Sequence, residues 1–223
     1  MPGIKSQKTA VTSAEARKRK TRRIALAVLA VAAIGLAAVH FIPRNTVSDS
    51  QYYMQDGFSI GDPAAPVHVV EFSNFNCSHC RDFAVNSEAD FIKNYVDTGK
   101  VYLTFQLYPF SSDPTQKATI GAHCAAESNK LWQYKDQVFK AAGFPGAYEE
   151  SNLVGYAKEI GLDSAEFKAC LQSEKYAGQP DTDRAVAASQ NVTGTPTFMV
   201  NGQPFYINAF IAAVDAELAK TGN

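Results

Sequence analysis

Acidic residues are almost missing from the first 23 positions, where eight Lys and Arg stand against Glu15 alone. Basic residues are short in the remainder, where 13 face 21 acids, so a tail of +7 precedes a body of -8. Such a body lacks the basic stripe that binds phosphate at physiological salt, which argues against a nucleic-acid surface. Ten Pro and 14 Gly without a period exclude a collagen-like chain, and 46% hydrophobic residues exclude disorder. Only one long apolar run is present, so a polytopic membrane protein is excluded as well. The 223 residues suit one globular domain of ordinary size with extras. Cysteine is scarce too: there are four, and none follows the apolar run until Cys77, which removes a lipoprotein anchor. Internal repeats and low-complexity tracts are absent.

The apolar run follows directly on Arg17-Lys18-Arg19-Lys20-Thr21-Arg22-Arg23 and extends from Ile24 to Ile42, with His40 as its single polar residue. At about 1.5 Å per residue these positions span about 28 Å, close to the hydrocarbon thickness of a bilayer. The cationic flank predicts a transmembrane signal anchor over 24–42, with the tail 1–23 in the cytoplasm and the rest of the chain outside the membrane. The competing reading is a cleaved signal peptide, with small residues around Ala37-Ala38 as a processing site, leaving a secreted or periplasmic protein. Polar residues over 43–57 read as a linker.

Val67 to Phe72 is a β-branched run of strand length after turn residues at Gly61–Pro66, and Val101 to Tyr108 is a second strand. Between them, from Cys77 to about Val96, apolar residues recur at helical spacing, which makes a βαβ unit. Asp113-Pro114 then reads as the start of a helix that carries Ile120, Cys124, Leu131 and Val138 on one face. Further helices are predicted near Asn152 to Ile160, ending at Gly161; after Asp163 through Leu171; and over Asp183 to Ser189. Thr197–Val200 and Gln203–Tyr206 flank Asn201-Gly202 as a hairpin, with an amphipathic helix from about Asn208 to Lys220 behind it. The expected fold class is α/β, a mixed central sheet with an all-helical block inserted between its strand groups.

Chemistry concentrates at Cys77-Ser78-His79-Cys80. Four cysteines in an exported chain favour pairing and permit three connectivities. Cys77 and Cys80 are three apart on the first turn of a helix, which lets their sulfurs meet. Unpaired N–H groups and the positive end of the helix dipole favour a thiolate at Cys77, and a protonated His79 adds charge of the same effect. A thiol of lowered pKa leaves a disulfide readily and stabilises the reduced pair, so the disulfide form is oxidising. Zinc would need two further ligands, and Cys124 and Cys170 stand alone on separate helices, so no metal is expected. A static bridge across so small a ring would constrain little chain.

Glu71-Phe-Ser-Asn-Phe-Asn-Cys77-Ser-His-Cys80, the helical insertion, and Gly194-Thr195-Pro196-Thr197-Phe198 ahead of Val200-Asn201-Gly202 together resemble the DsbA family of thioredoxin-fold thiol–disulfide oxidoreductases. The resemblance covers about Ile60 to Lys220. It implies a thioredoxin-like domain over 58–112 and 191–223, an inserted helical subdomain over 113–190, and disulfide exchange in exported proteins without a cofactor. It further implies that Pro196 is a cis proline packed against the active-site disulfide, leaving the backbone of Thr195 free to pair with an extended substrate. Glu71 becomes a buried acid that exchanges a proton with Cys80. For Cys124 and Cys170, a structural disulfide stapling the insertion is preferred over a second redox pair, since neither sits at a polarised helix start. The best-known oxidases of the family have Pro-His between the cysteines where this chain has Ser78-His79, which bears on oxidising strength.

The expected activity is donation of the Cys77–Cys80 disulfide to reduced exported proteins, with a quinone-linked thiol oxidase of the membrane as the reoxidant that the resemblance implies. The alternatives are a reductase or isomerase of the same fold and a redox-inactive binding module. A binding module has no need of both Cys77 and Cys80.

Overall fold

The computed structural model describes residues 57–221. The predicted tail 1–23, anchor 24–42 and all of the linker except Gly57 lie outside the described residues. Among those described, no helix is long and apolar enough to cross a membrane.

Ser59–Ile60 (β1) is a short edge strand. Val67–Ser73 (β2) and Val101–Leu107 (β3) run parallel in the middle of the sheet, Val67 opposite Val101 and Glu71 opposite Phe105. Thr197–Val200 (β4) and Gln203–Tyr206 (β5) complete the order β1-β3-β2-β4-β5, every pair but β2–β3 being antiparallel. β3 is buried along its whole length and β2 at all but His68, as central strands covered on both faces must be. Asn201 and Gly202 both take positive φ, 45° and 81°, the backbone that a two-residue hairpin turn requires.

The helix expected from Cys77 to Val96 is broken. Ser78–Asn86 (α1) ends at Ser87, Glu88–Phe91 (α2) restarts, and a π turn over Ile92–Val96 follows. Ser87 has φ -132°, outside the helical region. The break turns Ser87 outward and Glu88 inward while keeping Phe83 and Phe91 against Phe210 of the last helix, ring centroids 5.5 and 5.2 Å apart. That last helix, Phe210–Lys220, covers one face of the sheet over Val67, Val69, Leu103 and Phe198.

The insertion holds five α-helices: Gln116–Ala126 (α3), Leu131–Ala141 (α4), Glu150–Glu159 (α5), Ser164–Gln172 (α6) and Gln179–Ser189 (α7). The single helix expected from Asp113 across Leu131 and Val138 is therefore two. Asn129 at φ 54° reverses the chain, and Lys130 N–H closes back on the carbonyl of Ala125 at 2.9 Å. Nor does Asp113 cap α3: its carboxylate accepts from Thr115 N–H at 2.9 Å in a turn, and the helix begins at Gln116. The other two signals sit where the turn chemistry placed them. Gly161 at φ 85° ends α5, with Leu162 N–H bonded to Ala157 carbonyl at 3.0 Å, and Asp163 caps α6 through the N–H groups of Ala165 and Glu166, both 2.9 Å.

Helix α3 ties the insertion together. Cys124 is disulfide-bonded to Cys170 on α6, Cα atoms 6.0 Å apart. The adjacent His123 pairs with Asp183 on α7 at 2.8 Å, both buried. Helix α7 packs on Val70, Phe72 and Met199, the sheet face opposite Val67 and Val69. Phe210–Lys220 (α8) closes the chain of elements.

Candidate active site

Cys77 is the N-cap of α1, with φ -88° and ψ 119°, so its side chain turns back over the open end of the helix. Its sulfur accepts from Cys80 N–H at 3.2 Å and lies 3.3 Å from the carbonyl oxygen of Thr195, to which the thiol donates. Cys77 is half-buried and Cys80 is buried completely, and both are free thiols. The Cys80 thiol, donating a hydrogen bond to the Cys77 sulfur, does most to bring the Cys77 pKa down to about 6. Partial burial opposes this, while the Thr195 side chain and the N–H groups of Cys80 and His79 assist it. Burial first, and the bond given to Cys77 second, push Cys80 far above the ordinary thiol range. One sulfur is thus an accessible thiolate near neutral pH and the other a protected thiol.

The segment leading into Cys77 is held from the insertion side. Asn74, itself buried, donates to the carbonyl of Tyr108 at 2.9 Å and to Asp113 at 2.6 Å, and its own carbonyl oxygen accepts from Asn76 N–H at 2.6 Å. Tyr148, between α4 and α5, donates to the carbonyl of Phe75 at 2.8 Å. Arg81, one residue past the motif, donates to the carbonyl of Phe139 at 3.1 Å. None of these clamps carries a motif of its own in the sequence.

The Thr195–Pro196 bond is cis, and the loop that holds it runs into β4. Pro196 is buried and Thr195 half-buried, so the Thr195 carbonyl that meets Cys77 stands at the surface of the site. His79 is exposed, and it reaches Cys77 through its main-chain N–H.

Glu71 sits on β2 with no exposed surface and no hydrogen-bond partner on either carboxyl oxygen. Burial first, then the Glu88 carboxylate, push its pKa up to about 8; the Lys135 ammonium acts in the opposite direction. Lys135 on α4 is also fully buried and is ion-paired to Glu88. Burial works against its charge, yet Glu88 and Glu71 hold its pKa above the ordinary lysine range. Neither Glu88 nor Lys135 was singled out in the sequence. Lys135 nevertheless left a signal, since it falls at helical spacing within Leu131, Tyr134, Val138 and Phe139, on the apolar stripe of α4. Glu88 left less, because on an unbroken helix Ser87 would occupy the inward position.

Among the described residues no group of three or more His, Cys, Asp or Glu side chains is placed to hold a metal ion. Thiol–disulfide exchange asks for a pair of sulfurs, since the species transferred are electron pairs and protons.

The sequence profile of the family described as Thioredoxin matches residues 54–216. The probable disulfide bond formation protein D of Bacillus anthracis is 30% identical over 73% of this chain and 78% of its own length. The Na(+)/H(+) antiporter NhaA 3 of Salinispora tropica is also 30% identical over 72% of this chain, but the chain spans only 24% of that protein's length. Among solved structures, oxidised BdbD from Bacillus subtilis superposes with a TM-score of 0.67 at 22% identity, covering 73% of this chain and 92% of the other.

Proposed function

We propose that this chain, which belongs to the DsbA family of thioredoxin-fold thiol–disulfide oxidoreductases, works as an oxidase that donates its Cys77–Cys80 disulfide to reduced exported proteins. The observation that carries the direction is the asymmetry of the two sulfurs, one lowered to about 6 and the other pushed far up. Stabilising the Cys77 thiolate stabilises the reduced protein relative to the disulfide, and so makes the disulfide the stronger oxidant.

In this reading a substrate thiolate attacks the Cys77 sulfur, the Cys77–Cys80 bond breaks, and its electron pair leaves on Cys80. Glu71 protonates Cys80. A second substrate thiolate then attacks the substrate sulfur bound to Cys77 and expels the Cys77 thiolate, leaving a substrate disulfide and a reduced enzyme. The main chain of Thr195 holds the substrate segment as an added strand beside the cis Pro196. The Cys124–Cys170 bridge acts as a staple of the insertion and takes no part in exchange. His79 contributes through the charge of its exposed ring when protonated, an effect weakened by solvent.

The basic tail and apolar run support attachment to the cell membrane by the helix over 24–42, with the catalytic domain outside the cytoplasm. A membrane thiol oxidase that passes electrons to quinone is the reoxidant that fits such a placement. Replacing Cys80 by Ser tests the oxidase chemistry in cells: substrates should accumulate as mixed disulfides on Cys77, whereas Cys77→Ser should accumulate few. Equal trapping by the two variants would refute the assignment of Cys77 as the attacked sulfur.

A further inference from the structure

A buried charged cluster lies outside the cysteine motif. Glu71 on β2, Glu88 on α2 and Lys135 on α4 are all buried, and the Lys135 ammonium is ion-paired to Glu88. One Glu88 oxygen and both Glu71 oxygens have no hydrogen-bond partner. The ammonium lies 5.3 Å from the ring centroid of Phe105, 5.0 Å from Trp132 and 5.7 Å from Phe139, so aromatic faces stabilise it where water cannot. Phe105 is the β3 residue directly opposite Glu71, and it shares a hydrophobic core with Cys80 and Phe139. The site helix is joined to α4 by the Arg81–Phe139 bond. Charges facing Glu71 thus come from three other sources: Glu88, Lys135 and Cys77, with Asp136 acting on Lys135.

Two buried carboxyls and one ammonium are neutral when the carboxyls hold one proton between them. Burial makes any other count costly, and the second carboxylate would face the first in a medium that screens little. We propose that Lys135, supplied by the inserted helix α4, is a positioning residue that keeps one transferable proton on the Glu71–Glu88 pair for use at Cys80. With Glu88 ionised against Lys135, the proton resides on Glu71. When the Cys77–Cys80 bond breaks and its electron pair goes to the Cys80 sulfur, that proton passes to Cys80; when Cys80 attacks a mixed disulfide, it returns to Glu71. Without the ammonium, both carboxyls would hold their protons to higher pH, and at neutral pH Glu71 would less often be free to accept one from Cys80.

This rests on the reading of Glu71 as the proton partner of Cys80, and the test separates the two. The measurement is the rate at which Cys80 expels glutathione from a mixed disulfide on Cys77, followed across pH by acid quench and mass spectrometry in the purified protein. In the wild type the rate should rise with pH through a midpoint near the Glu71 value of about 8. Glu71→Gln should remove that rise; if the rise persists unchanged, Glu71 is not the partner and the proposal falls with it. Lys135→Met should move the midpoint up by about one pH unit and slow release at neutral pH about tenfold. Glu88→Gln should move the midpoint down, because the carboxylate that raised it is gone. Loosened packing would shift both variants in one direction, so opposite shifts support the proposal, and shifts of the same sign, or none, overturn it. If Lys135→Met does not fold, Lys135→Gln takes its place: an upward shift supports the proposal, and a downward or unmoved midpoint overturns it.

Discussion

Cys77 owes its reactivity to four donors that converge on one sulfur, and three of them belong to the turn Ser78-His79-Cys80 and its first helical bonds. The ultraviolet thiolate absorbance of the reduced protein should therefore titrate with a midpoint near 6 for Cys77. Cys80→Ala removes the largest contribution and should raise that midpoint, whereas His79→Ala keeps the main-chain N–H and should raise it less. A larger shift for His79→Ala would assign the activation to the imidazole charge. Residues at this scale were legible in the sequence where a fixed spacing enforces the geometry, as in Cys77 and Cys80, or where polarity interrupts a pattern, as at Glu71. Lys135 also interrupts a pattern, at the centre of the apolar stripe of α4, but a lysine there reads equally as a snorkelling side chain until its partner is known. Its partner Glu88 depends on the break at Ser87, and nothing in the helical periodicity marks that break.

At the level of elements, four of the five strands and the helix ends at Gly161 and Asp163 were legible, while the two-residue edge strand Ser59–Ile60 and helix continuity were not. The hairpin at Asn201-Gly202, the stop at Gly161 and the cap at Asp163 each rest on local backbone chemistry, which a sequence states directly. The division between α3 and α4 depends on Asn129 taking a left-handed conformation so that two helices can fold back on one another, and that is a demand of tertiary packing. Asp113 was likewise drawn away from helix capping by its bond to Asn74, a contact across 39 positions. Within the insertion, the Cys124–Cys170 bridge joins α3 to α6 far from Cys77 in sequence. Replacing both cysteines by Ala should lower stability by about 2 to 5 kcal/mol in denaturant titrations while leaving the rate of exchange at Cys77 unaltered. A changed exchange rate at unchanged stability would instead make the bridge a redox relay.

For the whole molecule, Glu71 and Cys77 give opposite pH dependences. Glu71 has a folded-state pKa near 8, above its ordinary 4.5, so the folded state binds its proton more tightly. Stability from this source is fully present below about 4.5 and is lost as pH rises through 8, at up to roughly 1.4 kcal/mol per pH unit. Glu71→Gln should flatten that decline in denaturation midpoints taken from pH 5 to 8; an unchanged slope would place the carboxyl in water. Cys77 has a folded-state pKa near 6 against an ordinary 9.0, so its contribution is present at high pH and is lost as pH falls through 6. It exists only in the reduced protein. The margin by which the reduced form is more stable than the oxidised form should accordingly widen from pH 6 to 9. The same margin fixes the reduction potential of the Cys77–Cys80 pair, which equilibration with glutathione buffers measures directly. An oxidase built on a stabilised Cys77 thiolate requires a potential more oxidising than about -200 mV, whereas a value near thioredoxin's, about -270 mV, would contradict it and make the protein a reductase.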